Sequence, residues 1–174
     1  MASTLKVQNI AHTGGTNAIA IDSSGRVTRP VLPAWRVGRT ANATISSGHG
    51  TTTVIDFNET SNTTRNLFIQ GGCTISSGVV TVPVAGIYHV ETSLRLDDIG
   101  SGYVVVRIMR NSDTDSQRGT YMIEGAPASN YFTIQDSTIF KLDASDTLKV
   151  DYYVSADTSF QINVRSYFSG YLVG

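Results

Sequence analysis

The chain carries one cysteine, Cys73, in 174 residues, so it can close no intrachain disulfide and build no cysteine-based metal cage. Without a recognisable His–Asp or His–Asn partnership around it, Cys73 is expected as a small buried hydrophobe and not as a nucleophile. Charge is scarce as well: Asp, Glu, Lys and Arg make up 16% of the chain and the formal net charge is −1. That balance excludes a strongly basic nucleic-acid binder, a charge-laced coiled coil and an acidic disordered tail. No apolar run reaches the roughly 18 residues that a membrane helix needs, and the opening MASTLKVQNI lacks the apolar centre of a signal peptide. Synthesis and retention in a cytoplasm are therefore expected. The enzyme signatures G-x-S-x-G, G-x-x-x-x-G-K-[ST], H-E-x-x-H and C-x-x-C are missing too. His12, His49 and His89 stand far apart with no carboxylate at metal-ligand spacing, and read as a surface arm residue, a loop residue and an outward strand residue. Asp97-Asp98 and Asp113-x-Asp115 offer oxygens to a calcium ion, but acids in such Gly/Ser-rich stretches act first as turn formers. The sequence thus predicts no enzyme, no cofactor and no metal centre.

What is present is Gly, Ser, Thr and Asn, together with ten arginines against three lysines. Residues 1–45 hold Lys6, Arg26, Arg29, Arg36 and Arg39 against Asp22 alone, a local charge of +4 that leaves −5 for the rest. Near Pro30 and Pro33 the pattern changes from short polar and apolar fragments to longer alternating runs, which places a boundary between an arm over residues 1–32 and a domain over 33–174. In the arm, LKVQNI and NAIAIDSSGRVT read as two short strands, with Asp22-Ser23-Ser24-Gly25 as turn chemistry. Such an arm is too small to bury a core of its own.

Beyond Pro33 the hydrophobic period is two. Tyr88, Val90, Thr92, Leu94 and Leu96 share one parity while His89, Glu91, Ser93 and Arg95 share the other, the signature of a strand with one face on a core. Leu148, Val150, Tyr152 and Val154 repeat the pattern. Tyr103–Arg110, Tyr131–Phe140 and Phe160–Val173 are further strand candidates, and residues 46–64 read as a polar surface loop. Many short strands without interleaved helices predict an all-β, antiparallel sandwich. Tyr103, Tyr121, Tyr131, Phe132, Tyr153, Tyr167 and Tyr171 are more aromatics than one sandwich core can hold, so part of this set is expected to pack against a partner.

The passage Gly78-Val-Val-Thr-Val-Pro83-Val-Ala-Gly86-Ile-Tyr88-His-Val90 resembles the signature strand pair of the complement component one-q globular head, a branch of the tumour-necrosis-factor-like jelly rolls. Gly78, Pro83, Gly86 and Tyr88 match its Gly-x-Phe-x-x-Pro-x-x-Gly-x-Tyr-x-Phe pattern; Val80 and Val90 replace its phenylalanines, so the aromatic packing must be rebuilt in part. Phe140-Lys-Leu142-Asp-Ala-Ser-Asp146-Thr-Leu148 looks like that family's Leu-x-x-Gly-Asp-x-Val segment, and Phe168-Ser-Gly170-Tyr-Leu172 like its closing Phe-x-Gly-x-Leu strand. The resemblance spans about residues 33–174. It implies a jelly roll with the Phe168–Val173 strand in the centre of a sheet, and a homotrimer.

The arm carries a second resemblance. Leu5-Lys-Val7-x-x-Ile10, followed by Ile21-Asp-Ser-x-Gly25-Arg26-Val, is similar to the opening segment of fibre-like and virion structural proteins of tailed bacteriophages. This implies a virion protein assembled in the host cytoplasm: a capsid decoration protein or short head or tail fibre, anchored to capsid or tail proteins by its arm. The anchoring residues are then Leu5, Val7, Ile10 and Ile21, together with Arg26, Arg29, Arg36 and Arg39 for bidentate pairs on an acidic surface. The alternative is a receptor-binding adhesin whose loops 97–102 and 112–120 recognise host-surface glycan or protein. Nucleic acid is not expected as a partner, because no basic stripe interleaved with aromatics continues into the domain.

Overall fold

The structure is a computed structural model, and it describes residues 7–11, 13–14, 17–29, 32–46, 50–99, 103–111, 117–123, 129–155 and 159–174. The chain divides into two compact units, Met1–Leu32 and Pro33–Gly174. Among the described residues there is no helix.

The first unit is a small antiparallel sheet of β1 (Asn9–Ala11), β2 (Asn17–Ile21) and β3 (Val27–Thr28), one strand more than the sequence pattern predicts. The extra strand follows from the turn that the sequence does announce. Asp22 Oδ1 accepts the backbone N–H groups of Ser24 and Arg26, both at 2.9 Å, and Gly25 takes a φ of 78° that favours glycine, so the chain doubles back and Val27 pairs with Ile21.

The second unit is built from β4 (Ala34–Gly38), β5 (Ala43–Ile45), β6 (Thr52–Val54), β7 (Phe68–Gln70), β8 (Thr74–Ser76), β9 (Val79–Thr81) and β10 (Gly86–Ile99). It continues through β11 (Val104–Arg110), β12 (Gln117–Ile123), β13 (Ser129–Leu142), β14 (Thr147–Val154), β15 (Phe160–Ile162) and β16 (Tyr167–Leu172). All pairings are antiparallel. One sheet runs β5-β15-β10-β16-β4-β7, with β13 along the other edge of β10; the second runs β12-β11-β14-β9-β8, with β6 beside β14. This is an all-β architecture consistent with a β-sandwich. The last strand, β16, lies inside the first sheet, between β10 and β4.

The period-two strands deliver their apolar parity to the interior: Tyr88, Val90, Leu94 and Leu96 from β10 and Leu148, Val150, Tyr152 and Val154 from β14 are all buried. Around Trp35 the interior is aromatic, with Phe168 edge-on at 5.7 Å and Tyr88 tilted at 6.3 Å, and Phe57 stacks on Phe168 at 6.0 Å. The signature residues hold strand ends and close approaches. Gly78, at φ 76°, sits where an added Cβ would lie 2.1 Å from the Ile55 carbonyl oxygen. Pro83 stands between β9 and β10, Gly86 opens β10, and buried Tyr88 donates its hydroxyl to the Val84 carbonyl. Burial pushes the Tyr88 hydroxyl up to about 12 and the Cys73 thiol up to about 11, so both remain protonated in neutral solution.

Two expectations are corrected. Phe160–Val173 is not one strand but two, because Asn163 breaks it: its side-chain oxygen accepts the Arg165 N–H and its carbonyl the Ser166 N–H, an Asx turn that lets β15 serve β5 and β10 before β16 begins. Residues 46–64 are not merely a surface loop, since Thr52–Val54 forms β6 and Ile55 and Phe57 are fully buried.

The turn before β14 makes a testable contribution. Burial raises the Asp146 carboxyl, but bonds from the Asn111 amide, the Asp143 N–H and the Arg110 guanidinium outweigh that and hold it below its ordinary value. A depressed folded value means that the stabilisation is complete above the unfolded value and is lost as the pH falls through the folded one. Asp146→Asn is expected to cost about 1–2 kcal/mol at neutral pH. It should also flatten the acid limb of the stability curve, read by urea melts between neutral pH and strongly acid solution.

Candidate functional site

The arm and the sandwich each offer an interaction surface. In the arm, Val7 is 37% exposed, Ile10 51% and Val27 64%, while Ile21 is half-buried; Leu5 and His12 lie outside the described residues. Arg26 meets Asp22 at 2.7 Å in an exposed i,i+4 pair, and Arg29 is exposed. Arg36 and Arg39, grouped with the arm on the sequence pattern, belong to the second unit. Arg36 is on β4, and Arg39 just beyond it donates Nη1 to the Asp56 carbonyl at 2.7 Å. The arm's own formal charge is therefore +2, from Lys6, Arg26 and Arg29 against Asp22.

In the sandwich, the outward face of the first sheet collects the side chains that the core parity excludes. The antiparallel register sets them in rows running from β13 through β10 and β16 to β4 and β7. One row reads Ile139, His89, Tyr171, Ala34 and Gln70; the next reads Ser137, Glu91, Ser169, Arg36 and Phe68; the third reads Gln135, Ser93, Tyr167 and Gly38. At the first row, and the strand ends beside it, the face is apolar and uncovered: Ile139 is 64% exposed, Val173 57%, Tyr171 52% and Ile87 37%, and His89 stacks on Tyr171 at 5.3 Å. At the far end of β10, Arg95 holds Asp97 at 2.8 Å and lies over the Tyr131 ring at 4.4 Å; Asn163 donates its amide to the same aspartate.

Tyr167 stands between two depressions on this face. On the β10–β13 side, a hollow of about 370 Å³ is lined by Glu91, Thr92, Gln135, Asp136, Ser137 and Tyr167. Ser169 donates its hydroxyl to Glu91 at 2.9 Å, and desolvation raises the Asp136 carboxyl, one oxygen of which is buried with no hydrogen-bond partner. On the β4 side, a smaller hollow of about 140 Å³ is lined by Arg36, Arg65, Arg165, Leu67, Val164, Ser166 and Tyr167. Arg65 is neutralised by Glu59 and anchored on the Arg39 and Val164 carbonyls. Arg36 instead stacks on Tyr167, 3.6 Å from the ring centroid, with its Nε buried and without an acceptor.

Of the candidate loops, residues 100–102 and 112–116 lie outside the described residues, as do Asp113, Asp115 and His49. Among the described residues no cluster of three or more His, Cys, Asp or Glu is placed to hold a metal ion. Glu91, Arg65 and Arg165 were not singled out by sequence reasoning; the legible signal was the parity of β10, which sends Ile87 and Glu91 outward, and nothing local ties Arg65 or Arg165 to Arg36. No family model matches the chain, and no curated protein matches it.

Proposed function

We propose that the protein is a structural component of a tailed-phage particle: a trimeric jelly-roll knob that decorates the capsid or forms a short fibre, attached by its N-terminal arm. The observation that carries this reading is the pairing of a small separate β-unit, which exposes the apolar side chains of Val7, Ile10 and Val27, with a sandwich that exposes an apolar sheet face. Surfaces of this kind are used for association. The arm's resemblance to virion proteins supplies the setting.

Two features support the jelly roll. The first strand of the sandwich, β4, pairs with the last, β16, in the middle of one sheet, and connections such as β9–β10, β10–β11, β12–β13, β13–β14 and β14–β15 pass from one sheet to the other. The signature glycines and Tyr88 hold the same crossing. For the trimer, the exposed Ile139, Tyr171, Val173 and Ile87 are the surface that a sister subunit would cover. A C-terminal sheet face of this composition closes a ring at low cost, because its apolar end contributes burial and its polar rows fix the register.

The adhesin reading draws on one feature, the stack of Tyr103 on Tyr153 at 5.4 Å with Tyr103 38% exposed, an aromatic platform of the type on which sugar rings lie. Copy number separates the two. Quantitative mass spectrometry of purified particles is expected to find hundreds of copies; a handful of copies located at the tail would replace decoration by host attachment.

A further inference from the structure

The outward sheet face is electrically lopsided, and the two sides fit each other. Across three adjacent strands, Glu91 on β10, Ser169 on β16 and Arg36 on β4 occupy one row of the register. Glu91 and Arg36 do not pair with each other: Glu91 takes the Ser169 hydroxyl, and Arg36 turns onto Tyr167. Three guanidiniums line the β4 hollow, and Glu59, the carboxylate that meets one of them among the described residues, is spent on Arg65. Among the described residues neither Arg36 nor Arg165 meets a carboxylate, and the buried Arg36 Nε lacks an acceptor. A buried guanidinium N–H without an acceptor is costly, and an oxyanion brought into the hollow would satisfy it. The fork of Arg36 is already held against an aromatic ring, so little freedom is lost when a planar carboxylate docks.

We infer that the Arg36–Arg165 hollow receives the Glu91 carboxylate of a second copy of this chain, each subunit offering its β10 side to the β4 side of the next. This rests on the trimer reading and deepens it by naming the groups that fix the order of subunits around the ring. In a ring of three the contact is heterologous, each carboxylate going to the hollow of the next subunit; the same pairing in a two-fold dimer would be reciprocal and fill both hollows, and the sedimenting mass tells the two assemblies apart. Charge complementarity of this sort selects register and partner more than it adds raw affinity. The exposed apolar row at Ile139 and Tyr171 supplies the burial; the Glu91–Arg36 contact supplies the direction.

The test is sedimentation of the full chain in charge-reversed forms. Arg36→Glu, Arg165→Glu and Glu91→Arg are each expected to weaken the trimer by about tenfold per contact, so that loss of the three equivalent contacts raises the dissociation constant about a thousandfold and the concentration at which the trimer dissociates about thirtyfold. The doubly reversed chain is expected to recover assembly by itself, since the introduced glutamate of one copy then faces the introduced arginine of the next at all three contacts; an equal mixture of Arg36→Glu and Glu91→Arg satisfies only two of the three contacts of a ring and should recover less. Arg165→Glu, at an exposed position, guards against a folding defect at Arg36. Unchanged dissociation in all three variants overturns the pairing while leaving the trimer intact. Loss of assembly without recovery in the doubly reversed chain also overturns it, because the variants would then be reporting damage to the Tyr167 stack. Inorganic sulfate that raises the melting temperature of the wild-type trimer only while Arg165 is present would give the hollow to a free oxyanion and overturn it as well. A wild-type chain that sediments as a monomer at micromolar concentration removes the trimer reading itself.

Discussion

A chain lacking residues 1–32 is expected to fold, to assemble as the intact protein does, and to fail to join particles. The first part follows from the division at Leu32–Pro33: the buried core residues, from Trp35 to Phe168, all belong to the second unit, and β4, the first strand of the sandwich, begins at Ala34. The second part follows from magnitudes. Arg26 and Arg29 are exposed, Arg26 is already engaged by Asp22, and an exposed ion pair stabilises by only about 0–1 kcal/mol. Burying Val7, Ile10 and Val27 on a partner contributes about 1.5–3 kcal/mol for each side chain fully covered. One arm would therefore hold weakly. Three arms on one trimer act together, and linkage of this kind strengthens binding by about two to four orders of magnitude without any new contact. Particles grown with the truncated gene and examined by gel densitometry should show the band absent. Normal occupancy would move attachment to the sandwich.

Apolar side chains are expected to matter more here than charge. Replacing Ile10 and Val27 with Ser should lower occupancy further than replacing Arg26 and Arg29 with Gln, and only the latter change should depend on salt. The structure shifts this weighting from the one that the sequence composition implied. A charge of +4 over residues 1–45 pointed to an electrostatic anchor, but Arg36 and Arg39 belong to the second unit, where Arg36 stacks on Tyr167 and Arg39 donates to the Asp56 carbonyl.

Legibility in the sequence followed the physical reach of each signal. Period two is a local property, so β10 and β14 could be read with the correct inward parity, β11 could be placed to within a residue, and β13 begins and ends only two residues from the expected bounds. The short strands were harder. Ile55 and Phe57 lie in a run of Thr, Asp and Asn with just two apolar residues on one parity, too few for a period, yet both are fully buried because Gly78 lets the chain pass close beside the Ile55 carbonyl. That contact joins residues more than twenty positions apart. The candidate interface has the same character: Glu91, Ser169 and Arg36 share a row only through the pairing of β10 with β16 and of β16 with β4, and no spacing in the chain encodes that row. What the sequence did carry was the surplus of aromatics, and the structure leaves Tyr131 and Tyr171 among the most exposed of them.

A large loss of stability is expected at Gly170. An added Cβ there would fall 2.4 Å from Trp35 Cζ2, 2.6 Å from Cη2 and 3.0 Å from the His89 carbonyl oxygen. Trp35 cannot yield easily, since its ring is 1% exposed and packed between Tyr88 and Phe168. The His89 carbonyl belongs to β10, the strand that pairs with β16 at this point, so it cannot move without breaking the ladder. Gly170→Val is expected to cost about 3 kcal/mol or more, at the upper end of overpacking penalties, and to lower the melting temperature by roughly 10 °C. Against a total of about 5–15 kcal/mol for a domain, that leaves the fold marginal. A cycle with Trp35→Leu isolates the cause: Gly170→Ala should cost clearly less in the Leu background, because the ring that meets the new methyl is gone. An equal cost in both backgrounds would assign the constraint to the β10–β16 backbone instead, and would mean that Gly170 is required by the approach of two strands and not by the indole above it.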